Sequence, residues 1–229
     1  MKKKIVVTGG TGRFGNHLKS IFTKHKLFFP TKNQFNILNV NSMLKYLKKT
    51  KPHIVIHLAG FSRPMELHEK NINKSIDLNI IGTANVTMVC SQKNIKLIYF
   101  STNYVYPGIN GNYNEDDPLK PFNNYAWSKL GGECSVKLYK NSLILRVCMT
   151  EKPFIHKKAF ANVKTSFMYH DEVAKILFKL LNKKGIINVG GKAQYIYNFA
   201  KKENKKVQKI YQNKKVKIKI PFDSTINIK

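Results

Sequence analysis

The sequence predicts an α/β protein built on a parallel, doubly wound sheet. Three observations carry that expectation. Short apolar runs alternate with amphipathic stretches up to residue 150, which is the order of repeated βα units. The first run passes directly into a glycine-rich turn, TGGTGRFG at 8–15. The segment HIVIHLAG at 53–60 is apolar at successive positions, as a strand buried on both faces is.

The elements follow in order. KIVVTGG at 4–10 reads as the first strand. RFGNHLKSIFTKH at 13–25 reads as a helix with Phe14, Leu18, Ile21 and Phe22 on one side. KLFFP at 26–30 is the second strand, ended by Pro30. SMLKYLKKT at 42–50 is helical, with Ser42 as its cap. HIVIHLAG is the third strand, and NKSIDLNIIGTANVTMVCSQKN at 73–94 a single long helix. KLIYFST at 96–102 is the fourth strand. The helix NYAWSKLGGECSVKLYK at 124–140 precedes the strand SLILRV at 142–147.

Composition bounds the function. The chain has 229 residues, 42% of them hydrophobic, enough for one large domain or a domain with a small lobe. Cys90, Cys134 and Cys148 are odd in number and widely spaced. That pattern fits reduced thiols in the cytoplasm and no metal site. The apolar run after the basic start MKKK breaks at Thr8 and Gly9, too early for a signal-peptide core. No stretch approaches the ~20 apolar residues of a membrane helix.

The net charge of +29 admits three readings. One is nucleic-acid binding. Another is steering of an anionic substrate. The third is a Lys-, Asn- and Ile-rich composition of the kind an AT-rich coding sequence gives, and the even spread of the lysines favours it over nucleic acid. The densest basic segment, 201–220, reads as a solvated helix face followed by a strand.

The glycine spacing carries chemistry. Gly9, Gly12 and Gly15 lie between a predicted strand and a predicted helix. Glycine allows a tight turn and a close approach of pyrophosphate to the backbone. The next helix offers free N–H groups to it. A dinucleotide site follows from that context. After the second strand stand Thr31, Lys32 and Asn33, with no acid to hold the adenosine ribose of NAD. Lys32 could instead meet the phosphate of NADP, or be one more solvent-facing lysine. The reading favours NADP and leaves NAD open.

Tyr125 and Lys129, in YAWSK, share one helix face. A phenol has an ordinary pKa of about 10, and a nearby ammonium lowers it. Such a pair can move a proton to or from a substrate oxygen. The plainer alternative is an exposed aromatic beside one of many lysines.

Taken together, TGGTGRFG, HLAG (57–60), Asn79 in LNIIGTANV, STNYVY (101–106), YAWSK and LILR (143–146) resemble an extended short-chain dehydrogenase/reductase of the nucleotide-sugar type. The pieces cover most of residues 1–150 in family order. Within that family, STNYVYPG and the segment through YAWSKLGGE are most similar to dTDP-4-dehydrorhamnose reductases, where Asn103 replaces a usual Asp. The resemblance implies a Rossmann-like fold and an NAD(P)-dependent reductase of a nucleotide-activated keto-deoxysugar. A nucleotide-sugar epimerase, or a non-catalytic NADP-binding regulatory subunit, are the alternatives.

It further implies that Thr102, Tyr125 and Lys129 are catalytic. Thr102 would bond the substrate carbonyl, Tyr125 give the proton, and Lys129 lower the Tyr pKa and hold the nicotinamide ribose. Gly9, Gly12, Arg13, Phe14, Gly15, Lys32, Asn36, Ile37, Leu58, Ala59, Gly60 and Asn79 would bind the cofactor, together with Tyr125 and Lys129. Arg63, Asn103 and Tyr104 would face the substrate. His57 could pass the cofactor or be a satisfied core histidine.

The C-terminal third departs from the pattern. Only residues 147–168 separate LILR from the predicted helix YHDEVAKILFKLL at 169–181, where relatives carry a longer insertion. GIINVGG at 185–191 resembles the strand that returns to the main sheet, and IPFDSTINIK resembles a terminal P-x-x-S segment. The chain thus divides into a dinucleotide-binding and catalytic unit, 1–150, and a reduced substrate-binding lobe, 151–229. A short cap implies a smaller substrate, a site completed by a partner, or a weakened enzyme, and it leaves a homodimer open. Epimerising relatives place a cysteine where Tyr104 stands, so reduction without exchange beside the ketone is expected. His170 and Lys164 could supply protons if the cap folds over.

Overall fold

The computed structural model describes residues 1–213 and 220–228. The first half lays down β1 (Lys4–Thr8), α1 (Arg13–Lys19), β2 (Lys26–Phe28), α2 (Val40–Thr50) and β3 (Ile54–His57). Then come α3 (Glu66–Lys70), α4 (Ile72–Ser75), a π-helical turn over Ile76–Ile81, α5 (Gly82–Gln92) and β4 (Lys96–Thr102). A 3-10 turn over Asn103–Val105 leads toward α6 (Asn124–Lys137) and β5 (Ser142–Val147). The remainder holds β6 (Met149–Thr150), β7 (Lys158–Phe160), β8 (Lys164–Thr165), β9 (Met168–Tyr169) and α7 (His170–Lys179). β10 (Gly185–Val189), β11 (Gln194–Tyr195), α8 (Ile196–Glu203) and β12 (Gln208–Ile210) complete it.

Six strands form one sheet in the order β10-β5-β4-β3-β1-β2, and every pairing in it is parallel. Alternate residues of each strand point to opposite faces. Ile5, Ile56, Ile98 and Leu145 meet α1 and α7 through Phe14, Leu18, Val173 and Leu177. Val6, Val55, Leu97 and Ile144 meet α2, α5 and α6 through Met43, Val86 and Val136. Both faces are therefore covered, which explains the continuous apolar runs. The strand order changes direction between β1 and β3, and such a switch opens a crevice at the carboxyl ends of the strands.

β4 and β5 match the predicted strands residue for residue. Three helix expectations need correction. The first helix stops at Lys19, because the Ser20 hydroxyl donates to the His17 carbonyl at 2.8 Å and the chain turns toward β2. Phe22, expected in the core, is 99% exposed as a result. The cap of α2 is Asn39, whose side chain accepts from the Ser42 N–H at 2.9 Å, so Ser42 lies inside the first turn. The long helix at 73–94 is interrupted by the π-helical turn, a feature found at functional sites.

α7 and β10 rejoin the main sheet. The rest of the C-terminal part has its own small core, where Phe154, Val163, Ile196 and Phe199 pack together. Its strands are two or three residues long. The basic segment supplies the exposed lysines of α8 and then β12, and its part at 214–219 lies outside the described residues. Residues 221–228 return across the molecule. Asp223 donates its N–H to Gly108, Ser224 to Lys164 and Asn227 to Tyr113, while Tyr113 donates to Thr225. Among the described residues, no helix is long and apolar enough to cross a membrane.

Candidate active site

A cavity of about 620 Å³ opens at the carboxyl ends of β1, β3 and β4. Its floor begins at the glycine turn. Gly9 has φ +71, and a Cβ there would stand 2.6 Å from the Ala59 nitrogen. Only glycine lets the turn pass that close to the end of β3. The Thr8 hydroxyl ties the two strand ends by accepting from the N–H groups of Leu58 at 3.2 Å and Ala59 at 3.1 Å.

The same hydroxyl meets His57 Nδ1 at 2.9 Å, and His57 Nε2 meets Thr83 at 3.1 Å. Burial, with Lys129 adding to it, pushes the His57 pKa down to about 3. His57 is a neutral, fully bonded core histidine.

Gly9, Gly12, Arg13, Phe14, Gly15, Lys32, Asn36, Ile37, Leu58, Ala59, Gly60 and Asn79 all line this cavity, as do Arg63, Thr102, Asn103, Tyr104, Tyr125 and Lys129. Lining is not the same as facing inward. The Asn79 carboxamide, on the π-helical turn, brackets Phe61 by accepting its N–H and donating to its carbonyl, both at 2.7 Å. It also donates to Ser128 at 2.8 Å. Asn79 therefore shapes the wall through the loop after β3. Asn36 is partly engaged too, its side-chain oxygen accepting from the Leu38 N–H at 3.0 Å. Asn103 turns away from the cavity, donating to the Ser224 carbonyl at 2.9 Å in a buried contact. It anchors the returning C-terminal segment. Lys32 is exposed at the rim.

Thr102 ends β4, and Tyr125 and Lys129 stand one turn apart on α6. Asn123 caps that helix by accepting from Ala126 at 2.9 Å. The Tyr125 hydroxyl is hydrogen-bonded with Thr102. Burial holds the Tyr125 phenol above its ordinary pKa, while the Thr102 bond and the Arg63 charge pull the other way. The direction is opposite to the one expected from an adjacent ammonium. Burial is the reason, and the Lys129 ammonium lies instead 4.1 Å from the centre of the Tyr99 ring. Burial pushes the Lys129 pKa down to about 7, and Glu133 opposes that shift.

Below this group, Glu133 and Arg146 form a buried ion pair at 2.9 Å. Arg146 also donates to the Tyr106 hydroxyl and the Glu115 carbonyl, each at 2.9 Å. This hub fixes α6 on β5 and so fixes the face that carries Tyr125 and Lys129.

Glu151 and Cys148, both on the wall, escaped the sequence reading as site residues, whereas His170 was expected near it. Glu151 lies at the cavity mouth, 2.8 Å from Arg13 and 3.6 Å from Arg63. Its only signal in sequence is that it is the sole acid between Glu133 and Asp171. Cys148 lines the wall as well, its sulfur 3.0 Å from the Thr165 hydroxyl. Burial pushes that thiol up to about 11, against the hydrogen bonds from Thr165 and Ser166. His170 is on the wall, packed edge-on to Phe14 at 5.4 Å. Lys164 is elsewhere, 4.0 Å from Asp223.

Comparison with known proteins agrees with this architecture. Over 143 residues the chain is 29% identical to methionine adenosyltransferase 2 subunit beta of Pongo abelii, covering 58% of this chain and 42% of that protein. Over 237 residues it is 30% identical to dTDP-D-glucose 4,6-dehydratase of Dictyostelium discoideum, covering 85% and 52%. The chain thus spans about half the length of the curated relatives it matches. A crystal structure of dTDP-4-dehydrorhamnose reductase from Bacillus anthracis in complex with NADP superposes with a TM-score of 0.89 at 23% identity. It covers 100% of this chain and 90% of that one, which shows a shared fold. The model of the RmlD substrate binding domain matches residues 2–184, and the chain belongs to that family.

Proposed function

We propose that this protein is an NADP-dependent reductase of the keto group of a nucleotide-activated deoxysugar. The carrying observation is the meeting of the Thr102 and Tyr125 hydroxyls in a cavity that also contains the glycine turn and Lys32. In this reading residues 1–150, with α7 and β10 packed onto their sheet, bind the dinucleotide and carry the chemistry, and the rest of the described residues after 150 form a reduced lobe that holds the sugar. The relative crystallised with NADP supports the cofactor, and so does the absence of an acid at Thr31–Asn33.

The glycine turn fits a dinucleotide. Gly15 leaves no room for a side chain against the Gly9 carbonyl, so backbone alone faces the cavity there. Lys32 would meet the adenosine-side phosphate, and Lys129 the nicotinamide ribose. When bound, the nicotinamide supplies a hydride. Thr102 orients the substrate carbonyl. Tyr125 delivers its proton to that oxygen as the alcohol forms, which needs a protonated phenol, and burial keeps it protonated at neutral pH. Lys129, with a pKa near 7, can return a proton through the cavity.

Two other readings have specific support. The likeness to an adenosyltransferase subunit favours a regulatory protein, against which stands the assembled Thr102–Tyr125–Lys129 set. Cys148 on the wall favours an epimerase, but its raised pKa makes it a poor base. The exposed Ile72, Ile76 and Trp127, which line one groove, support a homodimer, and the lack of a membrane-crossing helix among the described residues supports a cytoplasmic location.

The deciding experiment incubates the protein with NADPH and a panel of nucleotide-linked keto sugars in heavy water. Oxidation of NADPH without deuterium beside the ketone is expected. Binding without oxidation would establish the regulatory reading. Deuterium at the flanking carbons, above an enzyme-free control, would establish the epimerase.

A further inference from the structure

Only three of the 41 Lys and Arg residues are arginine. Arg146 is buried in the core pair with Glu133. The other two, Arg13 at the first turn of α1 and Arg63 in the loop after β3, converge on one carboxylate, Glu151. Arg13 follows the glycine turn, Arg63 follows β3, and Glu151 follows β6, where the chain enters the C-terminal lobe. All three line the same cavity. Arginine presents a planar, permanently charged fork suited to phosphate and carboxylate oxygens. Here both forks are shared by an internal acid.

We infer that Glu151 is a carboxylate latch that competes with ligand phosphate for Arg13 and Arg63, and so sets the affinity of the cavity for dinucleotide. The inference rests on the proposed function, since that is what brings a phosphate group to the cavity. The carboxylate is ionised. Burial, the largest influence, favours the neutral acid, but a bond from its own backbone N–H and the charges of Arg63 and Arg13 outweigh it and hold the pKa below the usual range. An incoming phosphate therefore meets two cations and one anion. It must either displace Glu151 from Arg13, the tighter contact at 2.8 Å, or bind beside it against like-charge repulsion. Arg63, at 3.6 Å, is the looser partner. The side chain of Glu151 is 17% exposed and that of Arg13 54%, so the competition takes place at the mouth, within reach of an arriving ligand.

The latch also explains why an acid should stand at this point in so basic a chain. A carboxylate beside two arginines offsets their charge and so keeps the mouth from binding anions indiscriminately. Negative charge at the mouth is then tolerated only from a ligand whose other contacts, along the glycine turn and the Tyr125 face, compensate for opening the latch.

The test measures dissociation constants of NADPH by fluorescence titration for the parent, Glu151→Gln, Arg13→Ala and the Glu151→Gln/Arg13→Ala double variant. Glutamine keeps the shape and one acceptor while removing the charge. Glu151→Gln should bind NADPH on the order of fivefold more tightly, as loss of one partly exposed competing charge implies. The gain should shrink in high salt, and it should shrink again when Arg13 is already alanine, because only Arg63 is then left to compete for. Thermal melting of each variant checks that the fold is intact. Unchanged or weaker binding by Glu151→Gln overturns the latch. So does an undiminished gain in the Arg13→Ala background. A parent that binds NADPH while Glu151→Gln binds no tighter leaves the proposed function standing and this inference overturned. If neither protein binds NADPH, both fall.

Discussion

The main sheet and the C-terminal lobe hold themselves together in different ways. β4 has seven residues, all buried, and its neighbours pair with it along continuous parallel ladders. The lobe has strands of two or three residues and relies on aromatic contacts. Phe199 touches Tyr169 at 4.8 Å between ring centres, Phe167 at 5.7 Å and Phe154 at 6.5 Å. A strand ladder fixes backbone positions whatever the side chains do. A small aromatic core fixes them only while its rings are present. The candidate chemistry, on Thr102, Tyr125 and Lys129, sits on the ladder-held part. The wall that would choose the sugar, including Phe167, sits on the part held by rings.

The largest expected effect tests the ladder-held part. Tyr125→Phe should keep the fold and NADPH binding while turnover falls by ~100- to 10,000-fold, the usual loss of a general acid. Steady-state kinetics beside a melting curve reads both. Turnover at the parent rate would move the proton donor elsewhere.

The next tests the lobe. Phe199→Ala removes a buried ring and should destabilise the lobe by about 3–5 kcal/mol. The loss should appear as a raised KM for the nucleotide sugar with the NADPH dissociation constant unchanged. If both constants rise together, the two regions act as one unit and the division of labour fails.

A third effect separates the regions by pH. His57 belongs to the main sheet, and burial holds its folded pKa near 3, below the ordinary 6.5. Above pH 6.5 the group is neutral in both states and adds nothing. As pH falls below 6.5 the unfolded chain gains a proton that the folded chain refuses. Stability therefore falls, by at most ~1.4 kcal/mol per unit of pH, until about pH 3. Urea unfolding across that window should show a shallower slope in His57→Gln than in the parent. Equal slopes would mean that other groups dominate acid unfolding.

The same contrast decides what could be read from sequence. β4 and β5 were legible to the residue because a strand covered on both faces must be apolar throughout. The glycine turn was legible because its geometry permits few other residues. The end of α1 was not, since the apolar spacing through Phe22 continues past the point where Ser20 closes the helix on His17. Asn103 shows a different limit. Its partner, the Ser224 carbonyl, is 121 positions away, and no local pattern announces such a contact. Arg13 and Glu151 meet by the same kind of long-range closure. The direction of the Tyr125 shift also escaped, because burial of the phenol sets it, and Lys129 shares the helix face yet sends its ammonium toward the Tyr99 ring. Spacing places two residues on one face; it does not choose their rotamers.

The smallest expected effect belongs to Lys32. It stands beyond β2, at the edge of the ladder-held sheet, yet its side chain lies in solvent. Here the rigid part of the molecule acts through a flexible and hydrated group. An ammonium in water pays side-chain entropy to meet a phosphate, and exposed pairs contribute about 0.2–1 kcal/mol. Lys32→Ala should therefore weaken NADPH binding by no more than about fivefold and leave NADH binding unchanged, because NADH lacks that phosphate. Raising the salt should narrow the gap between parent and variant. Fluorescence titration with both cofactors measures it. If the parent binds NADPH and NADH equally, Lys32 selects nothing, and cofactor preference has to be sought among groups nearer the strand ends.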